Sequence, residues 1–188
     1  LGVSELAMVG GHNVGNALAA LALGERCGIA LEPMLRALQS FAGLPHRCEW
    51  VATRAGVRFV NDSKGTNVGA TLAALQGLGG SNDVILIAGG QAKAADFSPL
   101  RSAVQQHCKQ LILLGEDAAA IEQALTGTAP VAHVSSIDEA VALAARNAQP
   151  GDCVLLSPAC ASFDMFSGYE ARGEAFADAV RQLQEDAQ

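Results

Sequence analysis

The 188-residue sequence predicts an α/β fold with a doubly wound, mostly parallel sheet. Half of the residues are apolar and only 16% are charged, a balance typical of a chain with a large buried core. Continuous apolar runs at Val84–Ala88, Gln110–Leu114 and Cys153–Ser157 are expected of strands that are buried on both faces. These runs alternate with Ala- and Leu-rich segments of helical length. The alternation predicts strand–helix–strand units and therefore a parallel sheet.

The first 45 residues differ in pattern from the rest. Leu1–Met8 is weakly patterned and is expected to be an edge strand or part of one. Val14–Cys27 is dense in Ala and Leu and stops at Gly28, which predicts a largely buried helix. A second helix is expected over Glu32–Phe41. Because two helices cannot bury their apolar faces alone, we expect residues 1–45 to belong to a domain whose remainder lies upstream.

Residues 46–188 are predicted to form one domain. Cys48–Thr53 and Val57–Asn61 alternate like strands around a turn at Arg54-Ala55-Gly56, which predicts an antiparallel hairpin at the start of the sheet. The elements expected after it are helix Val68–Leu78, strand Val84–Ala88, helical region Ser98–His107, strand Gln110–Leu114, helix Asp117–Leu125, strand Val131–Val134, helix Ile137–Asn147, strand Cys153–Ser157 and a last helix from about Tyr169 to Glu185.

The composition argues against several classes of binding partner. A formal net charge of −7 argues against a broad nucleic-acid-binding surface. No run approaches the roughly 18 uninterrupted apolar residues of a membrane span. The five cysteines, at positions 27, 48, 108, 153 and 160, include no CxxC pair, so neither a disulfide framework nor a zinc site is indicated. We therefore expect a cytoplasmic protein that binds small molecules, with no nucleic-acid or membrane partner.

Three predicted strands end in unusual loops. The loops are Asn61–Asn67 (NDSKGTN), Ala88–Lys93 (AGGQAK) and Leu156–Asp164 (LSPACASFD), and ligands bind outside the carboxyl ends of strands in open α/β sheets. By contrast, Gly115-Glu116-Asp117 is expected to be an ordinary turn and cap. If the strand order permits, Lys64, Lys93 and Ser162 converge on one edge of the sheet.

Two ammonium groups beside hydroxyls and free amides suit a small ligand that carries more than one carboxylate. Simpler interpretations remain open for each residue. One is that Ser63, Thr66 or Asn67 only caps the helix that follows, and another is that each lysine is a solvated surface charge, as a lone lysine usually is.

Several long motifs occur in a fixed order: GHNVGNALAALALG, GLPHRCEWV, NDSKGTNVGATLAAL, AGGQAKAADFSPL and GDCVLLSPACASFDMFSGYEARGEAF. Together they resemble the C-terminal part of the Mur ligase family, ATP-dependent amide-forming ligases of bacterial peptidoglycan synthesis. The SPACASFD and ADFSPL stretches are most similar to the D-glutamate-adding members. The resemblance implies that residues 46–188 form a Rossmann-like domain that binds the amino-acid acceptor, and that residues 1–45 are a helical remnant of the central ATP-binding domain.

The resemblance also implies the chemistry. ATP, with Mg²⁺, would phosphorylate the terminal carboxylate of UDP-MurNAc-L-alanine, and the amine of D-glutamate would then attack the acyl phosphate. Residues at positions matching D-glutamate contacts are Lys64, Thr66, Lys93, Ser162, Phe163 and Tyr169. Residues at positions matching ATP contacts are Asn13 and Asn16 towards the base, Arg47 towards the phosphates and Asp62 towards the ribose. Gly65 stands where Ala is frequent in the family, a change expected to loosen the loop.

Some parts of the family pattern do not occur. The sequence contains no GxxxxGK[ST] phosphate loop, and the magnesium ligands are expected mainly outside it. We therefore expect the chain to be a fragment that does not turn over by itself. The residues do not identify a general base for the amine.

Four alternatives remain. A dinucleotide-dependent oxidoreductase would need GxGxxG after the first parallel strand, where this chain has NDSKGTN. A thiol hydrolase would use Cys160, although no histidine motif is tied to it. Another Mur ligase or a folylpolyglutamate synthase relative would add a different amino acid. The fourth alternative is a binding module without catalysis of its own.

Overall fold

The computed structural model describes residues 1–8 and 11–183. Its helices are α1 (Gly11–Arg26), α2 (Leu31–Ser40), α3 (Val68–Leu78), α4 (Arg101–His107), α5 (Ala118–Ala124), α6 (Ile137–Asn147) and α7 (Tyr169–Gln182). Its strands are β1 (Glu49–Arg54), β2 (Val57–Asn61), β3 (Val84–Gly89), β4 (Cys108–Leu114), β5 (Val131–His133) and β6 (Cys153–Leu156). Short 3-10 turns cover Val3–Glu5 and Ser98–Leu100.

The six strands form one sheet in the order β1-β2-β6-β3-β4-β5. Strand β1 pairs antiparallel with β2, and every other pair is parallel. The prediction of a mostly parallel sheet with an antiparallel first strand is therefore confirmed. The last strand in the sequence, β6, lies in the middle of the sheet between β2 and β3.

Helices cover both faces of the sheet. Leu86, Leu111 and Leu155 point to the face packed by α3, α4 and α5. The alternate residues of the same strands, such as Ile85 and Val154, point to the face packed by α6 and α7. Because side chains alternate along a strand, uninterrupted apolar strands fill both cores, as the doubly wound prediction requires.

Turn and cap chemistry accounts for several boundaries. The β1–β2 hairpin turns through Ala55 and Gly56, with φ of 48° and 78°, the left-handed pair that a two-residue hairpin loop needs. Helices α3 and α6 begin and end at the predicted residues. Asn67 and Ser136 cap them by accepting hydrogen bonds from Ala70 N and Glu139 N.

Other boundaries move slightly. Strand β4 begins two residues before the predicted Gln110, and β5 and β6 each end one residue early. Helix α7 is described to Gln182, so the predicted end at Glu185 lies outside the described residues.

The N-terminal segment corrects two predictions. Leu1–Met8 contains no strand in its described residues. It makes a 3-10 turn in which Glu5 N donates to Gly2 O at 3.0 Å and Glu5 Oε2 accepts from Gly2 N at 2.5 Å. Helix α1 begins at Gly11 and is not largely buried, since Leu18 and Leu23 are 62% and 69% exposed. It packs against α2 and α3, and within residues 1–8 and 11–183 its Leu18 and Leu23 side chains stay largely uncovered.

Helix α2 lies one residue earlier than predicted, and Phe41 is its C-cap. None of the described helices is both long enough and apolar enough to cross a membrane.

Candidate functional site

The three unusual loops follow three neighbouring parallel strands, β2, β6 and β3. The helices that follow β2 and β3 pack on one face of the sheet, and α7, which follows β6, packs on the other. Adjacent strands whose next helices lie on opposite faces leave a crevice at their carboxyl ends, and that is where ligands bind in open α/β sheets. The strand order therefore places all three loops at a topological switch point.

Backbone hydrogen bonds join the loops. Gln91 N donates to Ala161 O at 2.9 Å and Ala161 N returns a bond to Gln91 O at 3.0 Å. On the other side, Ala159 N donates to Gly65 O at 2.9 Å. The predicted meeting of the three loops is confirmed, with the β6 loop in the middle.

Glycine is required where the β3 loop passes its neighbours. Gly90 has a φ of 125°, and a Cβ there would overlap the carbonyl oxygen of Ala161. The same loop is fixed from the β4 side, because Asp117 Oδ2 accepts a 2.6 Å hydrogen bond from Ala92 N and Asp117 N donates to Gly90 O. Asp117 is the N-cap residue of α5, as expected, but its side chain makes no capping bond to that helix and instead accepts the bond from the neighbouring loop.

Arg172 on α7 lies beneath all three loops and is 3% exposed. Its Nε donates to Ser63 Oγ at 3.0 Å and its Nη2 donates to Ser63 O at 2.9 Å. The two terminal nitrogens reach Cys160 O at 3.2 Å, and Nη1 is 3.4 Å from Ala161 O and 3.5 Å from Gly89 O. Burial lowers the pKa of the guanidinium to about 10, so it is still charged at neutral pH.

The two predicted lysines each lie near an aromatic ring. Lys64 Nζ is 3.9 Å from the centre of the Tyr169 ring, within cation–π range. Lys93 Nζ is 5.8 Å from the centre of the Phe163 ring, and both of these side chains are exposed. A hydrogen bond with the Glu170 carboxylate raises the pKa of Tyr169, and the same bond lowers the pKa of Glu170.

The other two residues at positions matching D-glutamate contacts hold different places. Ser162 is 2% exposed, and its carbonyl accepts hydrogen bonds from Met165 N and Phe166 N at 3.1 and 2.7 Å. Thr66 is half-buried on the β2 loop, where its amide donates to Lys64 O at 2.8 Å. All six residues therefore belong to the β2, β3 and β6 loops or to the first residue of α7.

The four residues at positions matching ATP contacts line one cleft of about 170 Å³ between α1, α3 and the β2 loop. Asn13 and Asn16 approach from α1, joined by a 3.0 Å hydrogen bond between their amides. Arg47 and Asp62 face them, and Lys64 lines the same cleft. Lys64 therefore lies where the cleft meets the loops that carry Lys93 and Ser162.

Asp62 is held firmly at the floor of this cleft. Its carboxylate is 7% exposed and accepts hydrogen bonds from Cys48 N at 3.2 Å and from Ser157 Oγ at 2.7 Å. Gly65 lies directly against it: a Cβ at that position would be 2.7 Å from Ser157 Oγ and closer still to Asp62 Oδ2. The loop approaches these two groups where Gly65 has no side chain, and the expectation that glycine loosens the loop stays a prediction.

Cys160 does not have the environment of a nucleophile. Its thiol is fully buried, and burial raises its pKa to about 12. A reactive cysteine needs a lowered pKa and access to solvent, so the thiol-hydrolase alternative finds no support in this geometry.

Sequence reasoning missed Arg172, Asp117 and Ser157. A signal for Arg172 was available, because Arg172, Phe176 and Val180 recur at helical spacing and form the buried face of α7. An arginine on that face has to find its partners inside the protein. Asp117 and Ser157 form their contacts with loops distant in sequence, and no local pattern marks them.

Comparison with known proteins agrees with this arrangement. A model of the family described as Mur ligase, glutamate ligase domain, matches residues 46–160. The chain is 56% identical over 183 residues to the UDP-N-acetylmuramoylalanine--D-glutamate ligase of Nitrosococcus oceani, covering 97% of this chain and 40% of that protein. The protein of the same name from Acinetobacter baylyi is 56% identical over 185 residues, covering 96% and 41%. The chain thus spans about two fifths of the length of these relatives.

Solved structures share the fold at lower identity. The UDP-N-acetylmuramate-alanine ligase of Thermotoga maritima superposes with a TM-score of 0.68 at 19% identity, covering 94% of this chain and 39% of that one. A pseudomurein peptide ligase type C from Methanothermus fervidus gives a TM-score of 0.68 at 18% identity, covering 93% and 36%.

Proposed function

The chain belongs to the Mur ligase family, and from this we propose that it forms the amino-acid-binding part of an ATP-dependent ligase. The ligase would join D-glutamate to UDP-N-acetylmuramoyl-L-alanine in the cytoplasmic stage of peptidoglycan synthesis. The names of the relatives that are 56% identical support the choice of amino acid. Because the chain spans about two fifths of those relatives, we expect no turnover from the 188 residues alone.

One observation carries the proposal. Three loops that bear Lys64, Lys93 and Ser162 meet at the switch point of the sheet, and the cleft lined by Asn13 and Arg47 opens beside them through Lys64. D-Glutamate has two carboxylates, and each lysine can offset one negative charge. A nucleotide in the cleft would lie next to the amino acid, as transfer through an acyl phosphate requires.

The family resemblance supplies the residue roles, and the geometry is compatible with them. We assign Lys64, Lys93, Thr66 and Ser162 to the D-glutamate carboxylates, with the Tyr169 and Phe163 rings restricting the positions of the two ammonium groups. We assign Asn13 and Asn16 to the base and Arg47 to the phosphates, and all three line the same cleft. Asp62, assigned to the ribose, already accepts hydrogen bonds on both carboxylate oxygens, so its further bond to a ribose hydroxyl would use a remaining lone pair.

ATP would supply the phosphoryl group that converts the carboxylate of the nucleotide substrate into an acyl phosphate. The protein's task is then to hold the amine of D-glutamate at the activated carbon while the carboxylates stay fixed. As the C–N bond forms, the amine loses a proton and phosphate leaves with the electrons of the broken C–O bond. Lysines that bind both carboxylates leave the amine as the free end of the ligand.

Two further parts of the proposal concern the remainder of the enzyme. We propose that residues 1–45 belong with a central ATP-binding domain and residues 46–188 with the acceptor domain. The start of the family match at residue 46 supports that boundary. Among the described residues, no three His, Cys, Asp or Glu side chains make a metal site, so Mg²⁺ enters the proposal only with the phosphates of ATP.

A calorimetric titration of the 188-residue chain with D-glutamate and with L-glutamate tests the assignment. We expect the D enantiomer to bind more tightly, and Lys93→Ala to weaken its binding about 10- to 100-fold, the worth of a charge-assisted hydrogen bond. Arg146→Ala is the matched control, since it removes one positive charge from the exposed last turn of α6, away from the loops. Absent binding, equal affinity for both enantiomers, or an equal loss in the control would overturn the assignment.

A chimera tests the whole reaction. This chain would replace the matching segment of the Acinetobacter baylyi ligase, and phosphate release would be measured with ATP, UDP-N-acetylmuramoyl-L-alanine and single amino acids. Release that depends on D-glutamate supports the proposal. Release that instead depends on another amino acid would assign the chain to a different reaction.

A further inference from the structure

Arg172 is the most unusual side chain that the proposed function leaves without a role. It is the most deeply buried arginine among the described residues, and none of the ion pairs found among those residues includes it. All of its hydrogen bonds go to backbone carbonyls and to one serine hydroxyl. A buried charge is costly unless hydrogen bonds satisfy it. The position of Arg172 among these carbonyl groups therefore needs an explanation.

The partners of Arg172 belong to the same three loops that carry the proposed ligand residues. Ser63 immediately precedes Lys64, Cys160 and Ala161 precede Ser162, and Gly89 opens the loop that carries Lys93. The planar guanidinium offers five N–H donors in a fixed fork. One side chain therefore sets the relative positions of three backbone segments that come from different parts of the sequence.

Ser63 extends this control to the ring beside Lys64. Its hydroxyl accepts from Arg172 Nε and donates to Tyr169 O at 2.8 Å, while its carbonyl accepts from Arg172 Nη2. Tyr169 presents its ring 3.9 Å below Lys64 Nζ. Through Ser63, Arg172 thus fixes both the residue before Lys64 and the residue whose ring lies under Lys64.

We propose that Arg172 is the positioning residue of the amino-acid site: it does not touch the ligand, but fixes the loops that do. The inference rests on the proposed function for its ligand, whereas the ordering of the loops can be measured without any ligand. The guanidinium lies beneath the loops and faces their carbonyls, so the shape of the fork matters more than its charge.

Arg172→Lys is the first variant, because it keeps a positive charge and loses the fork. Amide hydrogen exchange measured by NMR reports the bonds between loops directly, through Gln91 N, Ala159 N and Ala161 N. We expect these amides to exchange about tenfold faster or more in the variant, while those of β3 and β4 keep their protection. Exchange that rises equally throughout the sheet, or does not rise in the loops, would overturn the inference.

Lys109→Met is the matched control. It breaks the partly buried Lys109–Asp152 pair, with a 2.7 Å separation between Nζ and Oδ2, at the edge of the sheet opposite the loops. We expect a loss of global stability without selective exchange in the three loops. If Lys109→Met opens the loops as much as Arg172→Lys does, Arg172 contributes only general stability.

Ser63→Ala is a second variant in case Arg172→Lys folds poorly. It removes the hydroxyl between Arg172 and Tyr169 but leaves the carbonyl contacts, so the change should be confined to the β2 loop and the start of α7. D-Glutamate affinity completes the test: we expect a drop of about tenfold or more in Arg172→Lys, since losing one charge-assisted hydrogen bond to a carboxylate weakens binding by about that factor. Loss of loop protection with unchanged D-glutamate affinity would overturn the positioning role. Failure of the unaltered chain to bind D-glutamate would overturn the proposed function. In that case the hydrogen-exchange result alone decides whether Arg172 orders the loops.

Discussion

The hydroxyl of Ser157 donates a 2.7 Å hydrogen bond to Asp62 Oδ2, and the two residues are 95 positions apart in the sequence. Ser157 follows β6 and Asp62 follows β2, so the bond joins the ends of two adjacent parallel strands. Thr71 on α3 completes the group, because its hydroxyl donates to Ser157 O at 3.2 Å. This buried polar group forms the base on which the cleft and the β2 loop rest.

Gly65→Ala should disturb this group. The added methyl would lie 2.7 Å from Ser157 Oγ and closer to Asp62 Oδ2, and overpacking of this kind typically costs about 1–3 kcal/mol. We therefore expect a lower free energy of unfolding in urea. Gly15→Ala is the control, since nothing lies within 4 Å of the added methyl and alanine favours a helix by about 0.5–1 kcal/mol. An unchanged free energy of unfolding in Gly65→Ala would show that Asp62 and Ser157 move aside without cost.

The cysteines should divide sharply in reactivity. Cys27 is exposed, and Cys48, Cys108, Cys153 and Cys160 are buried. Burial raises the pKa of Cys108 and Cys160 to about 12, so at pH 8 both remain protonated and unreactive. We expect iodoacetamide to label one thiol in the native chain and five in denaturant, by mass spectrometry. Cys27→Ser should abolish the native labelling, and rapid labelling of Cys160 would revive the thiol-hydrolase alternative.

Stability should fall at alkaline pH for the same reason. Burial raises the thiol pKa of Cys153 to about 11 and of Cys108 and Cys160 to about 12, from an ordinary value of 9.0. Above pH 9 the unfolded chain therefore releases thiol protons that the native chain retains, and stability decreases as pH rises. Each such thiol contributes about 1.4 kcal/mol per pH unit between its two pKa values. Urea unfolding at pH 8, 9 and 10 measures the slope, and Cys108→Ala should reduce it.

Asn67→Ala separates capping from ligand binding on the β2 loop. The side chain of Asn67 accepts a 2.9 Å hydrogen bond from Ala70 N at the start of α3, and loss of such a cap costs about 1 kcal/mol. We expect a lower unfolding free energy with D-glutamate affinity unchanged. Asn67→Ser should restore most of the stability, because serine is also a good cap. A large loss of D-glutamate affinity in Asn67→Ala would instead place Asn67 in the binding site.

Local patterns predicted most of the elements. Strands β3, β4 and β6 are continuous apolar runs, and α3 and α6 carry Asn67 and Ser136 as caps, so their type could be read directly. The exposure of α1 could not be predicted in this way, because composition shows how apolar a helix is and not which surface covers it. Leu18 is 62% exposed, although the sequence around it is typical of a buried helix.

The candidate site could be predicted from the sequence only in part, for a different reason. Polar loops after apolar strands identified Lys64, Lys93 and Ser162 as candidates, but their meeting depends on β6 lying between β2 and β3, which no residue pattern states. Asp117 and Arg172 act on loops distant in the sequence. Such contacts exist only once the strand order is set, so they could be found only in the structure.

The central place of β6 also bears on how this protein emerges from the ribosome. Strands β2 and β3 are made early, but the strand that pairs with both is made last. Arg172 follows Ser63 by 109 residues, an interval of roughly 5 to 20 s at ordinary translation rates. During that time β2 and β3 lack the strand that pairs with both of them in the folded chain. The two central strand pairs of the sheet can therefore form only after β6 has been synthesised.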